Sequence, residues 1–317
     1  MTSLPLKPKI VVIVGPTATG KSDLAVHIAE KFNGEVISAD SRQVYKGMNI
    51  GTGKITKKEM KGVTHYLLDV ADPKRRFTVV KYVKLAEQAI RKIIKKGKLP
   101  IVCGGTGFYI DALIGGTQFP TVTANPALRS KLAKLSVEQL YATLMKIDPH
   151  RAEGMNRSDR QNPRRLVRAI EIVSATKKGR SLPDSQPAAT SQMEASIPSR
   201  HNYAPFFIGL KLPPDELKER IHRRLLKRLT SGMVAEAKRL HRQGLSWTRM
   251  EELGLEYRYL ARFIQGKITK AEMIAQLNTE IWHYARRQMT WFRRDGDINW
   301  FSPDQSMLIL KLIGRCI

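Results

Sequence analysis

Residues 15–22 read Gly15-Pro16-Thr17-Ala18-Thr19-Gly20-Lys21-Ser22, which matches the phosphate-binding pattern G-x-x-x-x-G-K-[ST]. The run before it, Ile10-Val-Val-Ile-Val14, is short, β-branched and unbroken, as expected of a strand buried on both faces. After it, Leu24, Ala25, Ile28, Ala29 and Phe32 recur at helical spacing. Strand, glycine-bounded loop and helix in that order leave few alternatives to a P-loop on a parallel α/β sheet. Gly15 and Gly20 permit the tight backbone path, so that successive N–H groups and a helix N-terminus face an anion. Lys21 can reach a terminal phosphate, and the Ser22 hydroxyl can hold Mg²⁺. The loop predicts a diphosphate site without saying which diphosphate.

The alternation continues. Glu35–Ser38, His65–Val70 and Leu99–Cys103 read as strands, and residues 79–96 as a long helix with a lysine-rich outer face, ended by Gly97. From about residue 121 to 175 only helical segments are expected. Residues 176–200, rich in Ser, Pro, Gly and Ala, read as a loop or linker. Phe206–Leu210 is expected to return to the sheet as a fifth strand, with the remainder helical. Pro213-Pro-Asp-Glu216 opens one of these helices, and the capping box Thr269-Lys-Ala-Glu272 opens the last long one. The expected architecture is a P-loop α/β core over 1–120, a helical insertion over 121–200, and core completion with C-terminal helices over 201–317.

Charge narrows the partners. Lys and Arg number 55 against 28 acids, a net charge of +27. The excess runs through the chain: +11 over 1–120, +7 over 121–200 and +9 over 201–317. A basic field this broad suits a polyanion such as nucleic acid, although a general adaptation for solubility would look the same. No apolar run approaches the ~18–20 residues of a membrane span. Two cysteines, Cys103 and Cys316, support neither a disulfide framework nor a zinc site, so a reducing, cytoplasmic setting is expected.

Four further groups could carry chemistry. Asp40 follows the second strand, where open sheets bind ligands; it could bind Mg²⁺, act as a base or simply form a turn. Gly104-Gly-Thr106-Gly107 follows the fourth strand, and Thr106 could donate to a phosphate oxygen. Arginines recur at helical spacing in Arg164, Arg165 and Arg168, and again in Arg220, Arg223, Arg224, Lys227 and Arg228. Either cluster could be a solvated face or could neutralise a leaving group. Arg286-Arg-Gln-Met-Thr-Trp-Phe-Arg-Arg294 mixes aromatics with arginines, as RNA-binding segments do; equally, its aromatics could pack inward.

Taken together, GPTATGKS (15–22), DSRQVYKGMNIGTGK (40–54), HYLLDVADP (65–73), PIVCGGTGFYI (100–110), NPRRLVRAIEI (162–172) and RRQMTWFRR (286–294) resemble the tRNA dimethylallyltransferase family. The resemblance implies that the P-loop, residues 15 to 22, holds dimethylallyl diphosphate with Mg²⁺ at Ser22. It also implies transfer of the prenyl group to N6 of the adenosine immediately 3′ of the anticodon. Asp40 is then the general base, and Thr106 and Arg224 contact the diphosphate. Implied tRNA contacts are Asp40, Ser41, Arg42, Gln43, Arg129, Arg164, Arg165, Leu166, Val167, Arg168, Arg286, Arg287, Gln288, Met289, Thr290, Trp291, Phe292 and Arg293. The insertion is expected to grip the anticodon stem, and the chain is expected to act as a monomer.

One departure stands out. Leu253-Gly-Leu-Glu-Tyr-Arg258 carries Glu256 where the family often has glycine. Two alternatives remain at this level: an adenylate isopentenyltransferase acting on a free nucleotide, and a P-loop kinase binding ATP. Neither needs the insertion, the basic-aromatic segment and the charge together.

Overall fold

The computed structural model describes residues 7–115, 122–176 and 203–317. They divide into two compact units, one formed by residues 1–116 with 200–317 and the other by 117–199. The linker expected over 176–200 lies, apart from Thr176, outside the described residues.

In the first unit six parallel strands form one sheet: β1 Lys9–Val14, β2 Gly34–Ser38, β3 His65–Tyr66, β4 Leu99–Cys103, β5 Ala204–Leu210 and β6 Asn299–Phe301, in the order β3-β2-β4-β1-β5-β6. The β1 run is unbroken because the sheet is covered twice. Ile10, Val12 and Val14 face one side with Ile37, Val102 and Phe207. There they meet Tyr82, Ala86, Ile90 and Ile93 of the helix Val79–Lys95. Val11 and Ile13 face the other side with Val36, Ile101 and Ile208. There they meet Leu24 and Ile28 of the helix Lys21–Lys31, and Ile309 and Ile313 of the helix Ser306–Cys316. Each such buried aliphatic contributes roughly 1.5–3 kcal/mol. A third cluster joins the helices Pro214–Thr230, Met233–Arg242, Leu255–Ile264 and Lys270–Phe292.

The strand order matters for function. β2, β4 and β1 are neighbours and run the same way, with Val36 opposite Ile101 and Val12 opposite Val102. The loops that leave their C-terminal ends begin with Gly15, Ala39 and Gly104, so the three motifs predicted at strand ends emerge side by side.

Two expectations are corrected. The third strand is not 65–70 but only His65–Tyr66. Leu67 and Asp69 take left-handed backbone angles, φ 63° and 55°, that no strand accommodates. The turn they make delivers the Asp69 carboxylate to Lys54 Nζ at 2.7 Å. Nor is the chain after Leu210 all helical: Asn299–Phe301 pairs with β5 as a sixth strand too short to show a period.

The described residues of the second unit are helical, as expected: Pro126–Leu132, Val137–Ile147, Pro149–Glu153, Arg157–Arg160 and Pro163–Thr176. Its own core contains Leu132, Leu140, Leu144, Leu166, Ile170 and Val173. No helix among the described residues is long and apolar enough to cross a membrane.

Candidate active site

A cavity of about 500 Å³ opens at the C-terminal edge of the sheet within the first unit, lined by the P-loop, Asp40, the 49–56 loop, Gly104, Gly105 and cations of the helix Pro214–Thr230. The P-loop runs into the helix Lys21–Lys31, whose N-cap Gly20 is left-handed and whose first turn leaves N–H groups for an anion. Lys21 bends back, and its Nζ donates to the Pro16 carbonyl at 2.5 Å. Burial pushes this ammonium down to about 8, partly offset by Asp40 and reinforced by Arg224. An arriving phosphate would hold it in its charged form.

Asp40 is held by its own turn. Its Oδ1 accepts from the backbone N–H of Arg42 at 2.7 Å and of Gln43 at 3.2 Å. The local turn therefore does exist, and it fixes the carboxylate as the cavity wall. Thr106 is tied to the same segment: its Oγ1 accepts from the Ser41 N–H at 3.0 Å, so its own proton points elsewhere. Tyr284, on the helix Lys270–Phe292, also lines the cavity, and burial raises its phenol above the ordinary value.

The second arginine cluster resolves by position. Arg220, Arg224, Lys227 and Arg228 line the cavity; Arg223 does not, and pairs instead with Glu219. Arg224 donates to Thr17 Oγ1 at 3.4 Å and to the Gly53 carbonyl at 3.3 Å. Burial and the neighbouring Arg228 lower it to about 10, still charged at neutral pH. Gly53 has φ +58°, and a Cβ there would overlap both guanidiniums, so only glycine lets the loop sit against them.

Three residues to which the sequence assigned no role hold this loop. Glu236 is buried, and its carboxylate accepts from the N–H groups of Asn49, Ile50 and Gly51, each at 2.9 Å, and from Tyr257 Oη at 2.7 Å. The departure Glu256 pairs with Arg228 at 3.1 Å, and burial raises its carboxyl. Lys54 donates to the Tyr45 carbonyl at 2.8 Å and to Asp69. The signal for Glu236 was an acid on the apolar stripe of Met233, Ala237 and Leu240.

The residues expected on tRNA divide. Ser41, Arg42 and Gln43 follow Asp40 beside the cavity. In the second unit Arg129 forms a two-pronged pair with Glu171, at 2.6 and 2.7 Å. Arg168 also meets Glu171 and donates to the Val122 carbonyl at 2.9 Å, and Arg165 pairs with Asp159. These three guanidiniums therefore hold their own unit together. Leu166 is fully buried and Val167 packs against the same core, so Leu166 is a core residue rather than a surface contact. Along the last long helix Arg286, Arg287, Thr290 and Arg293 are exposed and Met289 is half-buried. Phe292 lies in the sheet core and Gln288 is buried, a correction to a uniformly RNA-facing segment. Trp291 donates its Nε1–H to Asp111 at 2.8 Å, with Arg294 stacked 4.3 Å over its ring; burial pushes the Asp111 carboxyl up to about 6.

The glycine-bounded loop with Lys21, the Asp40 carboxylate and Arg224 meet on one cavity at the edge of a parallel sheet, the arrangement of an enzyme with a P-loop-like fold. Residues 43–295 match the family model described as IPP transferase, and the chain belongs to that family. It is 41% identical to tRNA dimethylallyltransferase 2 of Treponema denticola over 293 residues, covering 92% of this chain and 94% of that one. It is 38% identical to the tRNA dimethylallyltransferase of Anoxybacillus flavithermus, covering 98% and 95%. Its structure is similar to that of the full-length tRNA isopentenylpyrophosphate transferase of Bacillus halodurans, with TM-score 0.70, 34% identity and coverage of 98% and 96%. It is also similar to a eukaryotic dimethylallyltransferase acting on tRNA, with TM-score 0.75, 26% identity and coverage of 98% and 78%.

Proposed function

We infer that this protein transfers a dimethylallyl group from dimethylallyl diphosphate to N6 of the adenosine immediately 3′ of the anticodon in tRNA, releasing diphosphate. The observation that carries the reading is the convergence of the P-loop, Asp40 and Arg224 on one cavity, with Thr106 next to its Gly104–Gly105 wall, in a chain matched along nearly its whole length to tRNA dimethylallyltransferases.

The donor's diphosphate lies on the N–H groups opening the helix Lys21–Lys31, with Lys21 and Arg224 against its charge. The Ser22 hydroxyl, at the first turn of that helix, suits Mg²⁺ shared with phosphate oxygens. When bound, that ion neutralises diphosphate charge. No cluster of three or more His, Cys, Asp or Glu among the described residues could hold a metal without the substrate's own oxygens.

In the reaction the C–O bond to the diphosphate breaks and a bond from N6 to the same carbon forms. The N6 proton passes to Asp40, whose Oδ1 is already fixed by two N–H donors. The Thr106 hydroxyl, whose oxygen already accepts from the Ser41 N–H, donates its proton to the departing oxygen. The target base must leave its stack to enter the cavity, as in other enzymes that modify bases. Such a reaction suits a cytoplasmic monomer.

The test is label partition. Donor labelled in its prenyl group is offered with tRNA, AMP and ATP together. Label in tRNA is expected; label in AMP alone would make the protein an adenylate isopentenyltransferase. Consumption of ATP with no label transfer would make it a kinase.

A further inference from the structure

Gln288 is buried, with 5% of its surface exposed, on the helix Lys270–Phe292. Both ends of its amide are used, and both go to loops of the site. Oε1 accepts from the Thr17 N–H at 2.8 Å, and Nε2 donates to the Gly105 carbonyl at 2.8 Å. The first loop follows β1 and the second follows β4, neighbouring strands whose paired register ends at Cys103 and whose last hydrogen bond runs from the Gly104 N–H to the Ile13 carbonyl at 3.1 Å. Beyond that point the sheet no longer sets the distance between the two loops.

Close packing makes the contact specific. A Cβ on Gly105 would run into Gln288 Nε2 and would lie 3.8 Å from the Gly15 carbonyl, so Gly105 is wedged between the amide and the P-loop. Four residues earlier on the same helix face, Tyr284 lines the cavity. The Thr17 N–H, committed to Gln288, is also removed from the set of N–H groups available to an anion.

We propose that Gln288 is a positioning residue of the donor site, which clamps the P-loop to the Gly104–Thr106 turn so that the bound diphosphate and the Thr106 hydroxyl stay in register. This differs from a role as a tRNA contact and rests on the reading of the cavity as the donor site. Thr106 is one residue beyond Gly105, so a shift of that turn moves its hydroxyl directly. A mismatch well under an ångström at a leaving group lowers rate without abolishing binding.

The experiment compares the wild type with Gln288→Leu, which removes both hydrogen bonds at similar size. A second variant, Gln288→Glu, keeps the acceptor for Thr17 but sets a carboxylate oxygen against the Gly105 carbonyl. Three quantities are read: inorganic pyrophosphate affinity by calorimetry, single-turnover rate at saturating donor and tRNA, and tRNA affinity without donor. Hydrogen exchange of peptides covering residues 15–22 follows the Thr17 amide. Both variants should weaken pyrophosphate binding and slow single turnover by about tenfold each, with tRNA affinity within twofold. Exchange at the P-loop should quicken in Gln288→Leu and change little in Gln288→Glu. If Gln288→Leu fails to fold, the donor-side defect of Gln288→Glu decides alone. Unchanged pyrophosphate affinity and turnover in a folded variant, or a loss confined to tRNA affinity, would overturn the proposal. A wild type that binds no pyrophosphate would instead sink the donor-site reading beneath it.

Discussion

Asp40 and Lys21 carry the residue-scale argument because each is constrained in a way that fixes its chemistry. With Oδ1 of Asp40 tied to two backbone N–H groups, the carboxylate cannot rotate away from the cavity without breaking its own turn. Asp40→Asn keeps that acceptor and removes the base. Single-turnover transfer should fall about 10²–10⁴-fold with tRNA affinity unchanged, and a near-wild-type rate would remove Asp40 from the mechanism. Lys21 gives a pH signature. Burial has lowered it to about 8, so the free protein loses this positive charge as pH rises through that value. The charged form is the one that binds diphosphate. Measured relative to Lys21→Ala, which carries the ligand's own titration, wild-type pyrophosphate affinity should therefore be flat below pH 8 and decline by up to about tenfold per pH unit above it, one proton being taken up on binding. Lys21→Ala should bind weakly at every pH; a wild type with no break near 8 would contradict the assignment.

At the scale of elements, the 40–54 segment is shaped by side chains that reach it from helices over 170 residues later. Each Glu236 oxygen takes two donors, Oε2 from Asn49 and Ile50 and Oε1 from Gly51 and Tyr257. In Glu236→Gln the new NH2 opposes at least one backbone N–H whichever way it turns: both Asn49 and Ile50 at one position, or Gly51 at the other, where only the Tyr257 hydroxyl can turn to accept. The cost should be roughly 2–4 kcal/mol of stability, read as a lowered midpoint in urea, with a raised donor KM as the loop loosens. A variant of unchanged midpoint would show the loop to be held by Arg224 and Arg228 alone. This dependence explains what the sequence could show. β1, the P-loop and the following helix were legible because hydrophobic period and glycine spacing are local. β1 was legible as an unbroken apolar run and β2, β4 and β5 as short apolar segments, while their order in the sheet came only with the structure. β3 was overextended because the left-handed turn at Leu67 and Asp69 answers to Lys54 rather than to its neighbours in sequence. Glu236 was missed, and Glu256 was read only as a departure from the family pattern, because a buried acid is defined by distant partners. Gln288 was assigned to RNA with its motif, when its partners, Thr17 and Gly105, lie more than 180 residues away.

For the whole molecule, the +27 charge is not a reservoir of equivalent contacts. Arg129, Arg165 and Arg168 are engaged with Glu171 and Asp159 inside the second unit. Replacing them would mix lost stability with lost RNA contacts. Arg164, Arg286 and Arg287 are exposed and give a cleaner test. Each that meets a phosphate should flatten the plot of log affinity against log salt by about 0.7–0.9 when changed to alanine, leaving turnover at saturation intact. An unchanged slope in all three would take the RNA footprint off these residues.

The central claim is that the P-loop cavity delivers an isoprenoid to one tRNA base. Its most direct measurement is mass spectrometry of the nucleosides and nuclease fragments from an anticodon stem-loop treated with the protein, dimethylallyl diphosphate and Mg²⁺. The account predicts one added isoprenyl unit on the adenosine immediately 3′ of the anticodon, released diphosphate in equal amount, and neither product with Asp40→Asn. Unmodified RNA alongside a prenylated or phosphorylated free nucleotide, or an isoprenyl unit at another position of the loop, would contradict it.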